Sequence, residues 1–304
     1  MIIVKVLSIS DTDDINILYD KIKEEIYLLS EEGIEIDFKI DNQVDAIECS
    51  IIENKAYNEN AEEILNIFYY YIANMVADYI INYKENRLIK KIIQKEYYYF
   101  KQQDRHKIWQ LTQKQLNEKE GFDLTSNLYR ISKKMMMIEE IVNYLESHNI
   151  LNIDGYIRFR LKYYIDDLKD AVEASIEEFL MEKEYNEFIR LLQYFVDIQE
   201  PKIQTLHILI DENHHYSLLD SQFKHIKNEY LEELTTEFLE GEIRYEDLLI
   251  SSLITIAPTK IYIHSMVKDN NEEIMDTIQK VFGDRVVLCG GCDICKEKII
   301  LKKD

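Results

Sequence analysis

The sequence contains very few residues that interrupt helices. It has 2 prolines and 7 glycines in 304 residues. Proline removes a backbone hydrogen-bond donor and glycine is conformationally costly inside a helix, so their scarcity favours long helices joined by short connections. The sequence has 46% hydrophobic and 31% charged residues, the balance of a folded, soluble protein.

Cysteine and positive charge are also scarce. The 4 cysteines, three of them clustered, do not form the framework of a disulfide-rich secreted domain. A net charge of −22 argues against general binding to nucleic acids or to an anionic membrane surface, and it would suit a basic partner or a metal ion.

Neither a signal peptide nor a membrane span is expected from the pattern. Met1–Ile9 lacks a basic start, and the apolar run Ile64–Ile81 contains Asn66, Asn74 and Asp78. The sequence therefore predicts a soluble, cytoplasmic protein.

The best-patterned stretch is Asn152–Pro201. Its apolar residues recur every three or four positions, which predicts one amphipathic helix capped by Asp154 and a second from Tyr185, meeting near Lys183–Glu184. Pro201 ends the second helix because proline disfavours the helical conformation of the residue before it.

The residue identities in this stretch are more specific than an amphipathic helix requires. Gly155-Tyr156, Arg158-Phe159-Arg160-Leu161-Lys162, Glu184-Tyr185, the run Glu187–Leu192 and Gln199-Glu200-Pro201 resemble the YtxC-like family, putative sporulation proteins of endospore-forming bacteria. The resemblance implies cytoplasmic expression in a spore former and a role near sporulation. It implies no particular chemistry.

The whole chain is predicted to be a mostly helical α+β protein with three regions. Residues 1–55 form a small β-α-β-β unit, residues 56–201 a central helical bundle, and residues 202–304 a C-terminal α/β region with a cysteine-rich loop. In the last region, a strand at Lys260–His264, a helix at Asn270–Phe282 and a strand at Arg285–Leu288 predict a right-handed βαβ unit.

The sharpest chemical feature is the loop that follows this unit. Cys289, Cys292 and Cys295 have the spacing C-x2-C-x2-C, and His264 ends the neighbouring strand at the same predicted sheet edge. Three interpretations stay open: a zinc or iron–sulfur site with His264 as fourth ligand, a C-x-x-C redox pair, or an unligated loop.

Charged residues of the central stretch are weaker candidates. Arg158, Arg160 and Lys162 could bind a phosphate or carboxylate, although ion pairing on the helix surface explains them equally simply. The side chains of Glu184, Glu187 and Arg190 suggest a helix-to-helix ion pair, or a ligand site. His207 is expected to be a packed core residue, and Asp11 or Thr12 to cap a helix.

No standard catalytic motif is present in the sequence, so two functions are predicted from different classes. The first is a non-enzymatic, sporulation-associated protein that acts through a protein partner. The alternative is a metal- or thiol-dependent enzyme or sensor centred on the cysteine cluster. A third possibility is a small-ligand binder that uses Arg158 and Arg160.

Overall fold

A computed structural model describes residues 2–11, 15–31, 36–41, 45–53, 61–118, 124–210, 216–226, 245–265, 272–292 and 295. The chain divides into two compact units, Met1–Leu180 and Met181–Asp304. The mostly helical α+β class predicted from the sequence is confirmed. The division into three regions stays a prediction.

The first unit contains a four-stranded sheet in the order β2-β3-β1-β4. Its elements are β1 (Ile2–Ser10), α1 (Ile15–Glu31), β2 (Ile36–Asp41), β3 (Ala46–Glu53) and β4 (Ile150–Asn152). The predicted β-α-β-β arrangement is present, with antiparallel pairing of β3 to both β1 and β2. The sequence pattern missed β4, which pairs in parallel with β1, because three residues are too few to show a period.

The helices that follow share a hydrophobic core with the apolar side chains of this sheet. They are α2 (Ala61–Tyr79), a π-helical turn (Ile80–Lys84), α3 (Glu85–Glu96), α4 (Gln102–Glu118), α5 (Leu124–Ser147), α6 (Ile153–Phe159) and α7 (Lys162–Ile198). Leu7 and Ile9 of β1 share one core with Phe68 and Ile72 of α2. The sheet and the helices therefore bury their apolar side chains in one common hydrophobic core.

The helical stretch Glu62–Glu96 is long and apolar enough to cross a membrane by length and composition. However, 56% of its most apolar window is buried inside the fold. Ile72, Met75 and Val76 of this window lie in the core. This is the pattern of a core helix in a folded domain.

The second unit contains another four-stranded sheet, in the order β6-β5-β7-β8. Its elements are β5 (Thr205–Ile210), β6 (Tyr216–Leu219), α8 (Tyr245–Ile256), β7 (Lys260–Ser265), α9 (Glu272–Phe282) and β8 (Val286–Leu288). The strands β5, β7 and β8 are parallel, and β6 is antiparallel to β5. The predicted strand-helix-strand unit is present as β7, α9 and β8.

Two predictions about the central stretch are wrong. The expected junction at Lys183–Glu184 does not exist, because α7 runs unbroken from Lys162 to Ile198 and contains neither glycine nor proline. The apolar residues of α7 change from one side of the helix to another along its length, and this change looks like a helix boundary in the sequence. Asn152, not Asp154, caps α6: its side-chain oxygen accepts a hydrogen bond from the Gly155 backbone N–H at 2.7 Å.

One further expectation needs correction. The apolar pattern over Gln222–Leu239 predicts a helix, but no helix begins at Gln222, since residues 222–226 are not helical and His225 bridges to Leu219; the rest of that range lies outside the described residues. The cap of α1 expected at Asp11 or Thr12 stays a prediction, because residues 12–14 also lie outside the described residues. Asp11 itself is buried and accepts hydrogen bonds from Tyr79 and Lys84, so the buried ammonium group of Lys84 has an anionic partner.

Candidate metal centre

The carboxyl ends of two parallel strands bring the predicted ligands together. His264 is the fifth residue of β7, and Cys289 directly follows β8. The backbone N–H of Cys289 donates to the carbonyl of Ile263 at 2.9 Å, so the pairing of β7 and β8 continues up to the cysteine. This edge of a parallel sheet is where open α/β folds place their sites.

The four side chains converge on one point. The ligand atoms of His264, Cys289, Cys292 and Cys295, here called the Cys3His cluster, all lie within 4.8 Å of one another. Cys295 Sγ lies 3.7 Å from Cys292 Sγ and 3.8 Å from Cys289 Sγ. His264 Nδ1 lies 3.4 Å from Cys292 Sγ and 3.5 Å from Cys295 Sγ. All four cysteines of the chain are free thiols.

These distances match the edges of a tetrahedron around one zinc ion. Zinc bonded to sulfur at about 2.3 Å and to nitrogen at about 2.0 Å holds two sulfurs about 3.8 Å apart, and a sulfur and a nitrogen about 3.5 Å apart. An iron–sulfur cluster fits less well. In a cubane cluster each thiolate binds a different iron atom, so its sulfurs must be farther apart than those of a mononuclear site.

The backbone of the loop also favours this geometry. Gly291 has φ +104°, a conformation that side-chain-bearing residues rarely adopt. In this conformation its N–H donates to the sulfur of Cys289, and this hydrogen bond lowers the pKa of that thiol. Burial raises the pKa of the Cys295 thiol to about 11. The loop thus favours the deprotonated form of Cys289, and a bound cation would favour the deprotonated forms of the other two cysteines.

A second histidine contacts the cluster from β5. Nδ1 of His207 lies 3.0 Å from Nε2 of His264, the ring nitrogen that faces away from the cysteines. If His264 binds a metal through Nδ1, its proton must sit on Nε2 and be donated to His207. Burial lowers the pKa of both imidazoles, which favours the neutral form that metal ligation and this hydrogen bond require.

A sequence model described as the YtxC-like family matches residues 70–287, which is more than two thirds of the chain. The chain belongs to the YtxC-like family.

One relative within this YtxC-like family is the "Uncharacterized protein YtxC" of Bacillus subtilis (strain 168). It is 28% identical over 214 residues, covering 70% of this chain and 74% of the relative. No solved structure gives a significant match. The resemblance seen in the sequence is therefore confirmed, and the family itself names no chemistry. The residues that the family model matches, 70–287, include His264 and end before Cys289.

The structure separates the basic residues that the sequence placed in one cluster. Arg158 is the sixth residue of α6, and Lys162 begins α7, so the two are not one turn apart on a single helix. Both line a groove in the first unit. Arg160 is not among the residues that line it, and its guanidinium lies 5.7 Å from the centre of the Tyr144 ring.

The other charged candidates lie on the exposed surface of α7. Glu184, Glu187 and Arg190 are exposed, and none forms an ion pair with any residue in the described part of the chain. The structure therefore brings Cys289, Cys292, Cys295 and His264 together. It does not bring Glu184, Glu187 or Arg190 to that cluster.

Sequence reasoning missed the role of His207. It was expected to be a packed core residue, but it is only partly buried and contacts His264. Strand pairing supplies the signal that the sequence lacks: His207 pairs with Tyr262 across β5 and β7, and His264 is two residues beyond Tyr262. Residues two apart on a strand share a face, so this register places both imidazoles on the same side of the sheet.

Proposed function

We propose that the second unit of this protein binds one zinc ion through Cys289, Cys292, Cys295 and His264. The observation that supports this is the set of sulfur–sulfur and sulfur–nitrogen separations of 3.4 to 3.8 Å. Four protein ligands fill a tetrahedral zinc site and leave no position for a water or substrate. The site therefore suits a structural or sensory role better than a catalytic one.

A redox pair explains the arrangement less completely. A C-x-x-C dithiol needs two cysteines, and it needs neither the third cysteine nor an imidazole whose nitrogen lies within 3.5 Å of two sulfurs. A metal site uses all four groups. Zinc would also hold the loop after β8 against the end of β7, so that metal binding and folding of this edge would be coupled.

The test is the metal content of the protein purified without oxygen. We expect one zinc per chain by elemental mass spectrometry, lost when Cys289, Cys292 and Cys295 are all changed to Ser. The matched control is Cys49→Ala, since Cys49 is buried in β3 of the first unit. Cobalt substitution should give the visible spectrum of a tetrahedral thiolate site.

Two results would refute the zinc proposal. Iron accompanied by equal amounts of acid-labile sulfide would replace it with a cluster. Metal-free protein with four titratable thiols, unable to take up added zinc, would leave only a redox pair or an unligated loop.

A second proposal concerns a protein partner in the cytoplasm of sporulating cells. It is supported by five exposed apolar residues of α7, here called the apolar stripe: Met181, Phe188, Leu191, Phe195 and Ile198, each between 48% and 64% exposed. Their spacing of seven, three, four and three residues forms one continuous seam along a helix. Such a seam fits one amphipathic helix of a partner.

The charges beside the apolar stripe indicate the chemistry of that helix. Glu184 and Glu187 are exposed near it, and the whole chain carries a net charge of −22. A partner helix with lysine or arginine beside its apolar face would complement this surface.

The partner proposal is tested by changing one residue of the stripe. We expect Leu191→Glu to abolish capture of a partner from sporulating cells and to reduce spore yield. Ile131→Glu on α5 is the matched control, because Ile131 is 58% exposed and Leu191 is 57% exposed. Equal loss with both variants, or capture of a partner without a basic amphipathic helix, would contradict this proposal.

A further inference from the structure

A groove in the first unit has a charge opposite to that of the protein as a whole. Its volume is about 680 Å³, and it lies between α3, α6 and the start of α7. Five basic side chains line it: Lys91, Lys95, Arg158, Lys162 and Lys169. Here we call it the basic groove. In a chain with a net charge of −22, five cations around one opening are an uncommon concentration of positive charge.

Part of this positive charge is not neutralised by the carboxylates of the lining. The three carboxylates that line the groove have basic partners: Glu96 and Asp166 lie 3.8 and 3.6 Å from Lys169, and Asp154 accepts from Lys84 at 3.1 Å. By contrast, Lys91, Lys95, Arg158 and Lys162 form no ion pair with any residue in the described ranges. Four cations thus lack an ion pair among the described residues, and the five cations and three carboxylates together give the lining a net charge of +2.

The groove is anchored to a buried ionic cluster. Lys84 is 3% exposed and ends the π-helical turn, where it contacts both Asp154 and Asp11. Asp11 directly follows β1, and Asp154 lies two residues after β4. Because β1 and β4 are parallel, both carboxylates lie at the edge of the sheet where α/β proteins bind ligands. π-Helical turns also occur frequently at functional sites.

The rest of the groove wall is apolar. Leu88, Ile92, Ile157 and Ile165 line it beside the cations, and Ile92 and Ile157 are also part of the hydrophobic core. A rigid apolar wall with charges at its rim is suited to a ligand that has both an uncharged body and a multiply charged end.

We propose that the basic groove binds a small organic molecule that carries at least two phosphate groups. Arg158 offers a planar guanidinium that can hold two phosphate oxygens at once, and the three lysines add point charges around it. The apolar wall contacts the uncharged body of the molecule. The groove volume of about 680 Å³ is in the range of small-molecule sites, so the groove has room for a single molecule.

The test is calorimetric titration of the full chain with pyrophosphate, tripolyphosphate and magnesium-free adenosine triphosphate. We expect saturable binding of one molecule per chain, tightest for adenosine triphosphate because it alone has an uncharged aromatic body that can pack on the apolar wall. Arg158→Gln combined with Lys162→Gln should weaken this binding by at least about tenfold, since two charge-assisted contacts are lost. Circular dichroism checks that the variant folds.

Arg160→Gln is the matched control. It removes the same charge two residues from Arg158, but Arg160 contacts Tyr144 and does not line the groove. Binding should therefore change by less than about twofold, because a distant surface charge is largely screened by salt. Polyphosphates also chelate zinc, so the titrations are repeated with Cys289, Cys292 and Cys295 changed to Ser, and we expect the same affinity.

Several outcomes would overturn the proposal. The first is a lack of saturable binding at millimolar concentrations of all three phosphates. Equal weakening by Arg160→Gln and by the double variant would show attraction to diffuse charge and not a site. Tighter binding of citrate than of any phosphate would overturn the assignment to phosphorylated molecules. Loss of binding in the Cys→Ser background alone would show that the phosphates bind zinc in the second unit.

Discussion

Replacing His207 tests how far the proposed metal centre depends on groups that do not touch the metal. When His264 binds a metal through Nδ1, its Nε2–H donates a hydrogen bond to Nδ1 of His207 across 3.0 Å, and this hydrogen bond holds Nδ1 of His264 towards the cysteines. In His207→Leu this acceptor is lost. His264 is then free to rotate or to carry its proton on Nδ1, and in either case it is a poorer ligand.

The expected magnitude follows from the hydrogen bond and its burial. His264 is 5% exposed, so its N–H cannot easily find water as a replacement partner. Leaving a buried donor unpaired costs about 1–3 kcal/mol. Loss of a group that orients a metal ligand typically weakens metal binding about 10- to 100-fold, which is about 1.4–2.8 kcal/mol. The two estimates agree, and we expect a zinc affinity about 30-fold weaker in His207→Leu.

Competition with a chromogenic zinc chelator measures this affinity. His207→Asn serves as the rescue variant, because its side-chain oxygen can accept the same hydrogen bond, and it should recover most of the loss. His148→Leu removes an exposed histidine of the first unit and should leave zinc binding unchanged. Unaltered affinity in His207→Leu would refute the orienting role, as would equal loss in His207→Leu and His207→Asn at equal thermal stability.

Three further predictions concern stability. Removing zinc should lower the free energy of unfolding of the second unit by about 4 kcal/mol, if zinc was present at about 1,000 times its dissociation constant. Thermal denaturation with and without a chelator measures this difference. An equal response of a Cys289→Ser protein to the chelator would contradict the prediction. Lys84→Met should cost about 3–5 kcal/mol in urea denaturation because Asp11 is left buried without its cation. Burial already raises the pKa of Asp11, so the folded state binds a proton on this carboxyl more tightly than the unfolded chain does. Without Lys84, protonation of Asp11 at about pH 5 removes the buried charge. The loss of stability caused by Lys84→Met should therefore be larger at about pH 8 than at about pH 5. A loss independent of pH, or one not relieved by adding Asp11→Asn, would argue against this account. Asn152→Ala should cost about 1 kcal/mol by removing the cap of α6, and Asn152→Asp, which keeps the acceptor, should cost less; equal losses would show that the cap contributes little.

Local sequence patterns predicted most helices and strands because burial of one face imposes a period on the chain. The strand β2, where Ile36, Phe38 and Ile40 alternate with charged residues, and the helices α1 and α2 show such a period. Where the pattern failed, a longer-range contact decided the structure. The apolar face of α7 shifts along its length because the helix contributes to the cores of both units, through Leu168 to the first and Val196 to the second. A shift of face and an interruption of the helix look the same in sequence.

The same distinction holds for the candidate metal centre and for the groove. The sequence by itself determined the C-x2-C-x2-C loop and the family, because both depend on residues close together in the chain. Only the tertiary structure decided that His207 supports His264, since strand pairing joins residues 57 positions apart. It also decided that Lys84, Asp11 and Asp154 share one buried site beside the basic groove. Contacts between charged residues far apart in the chain produce no repeating pattern in the sequence, because tertiary packing and not sequence spacing determines which residues meet.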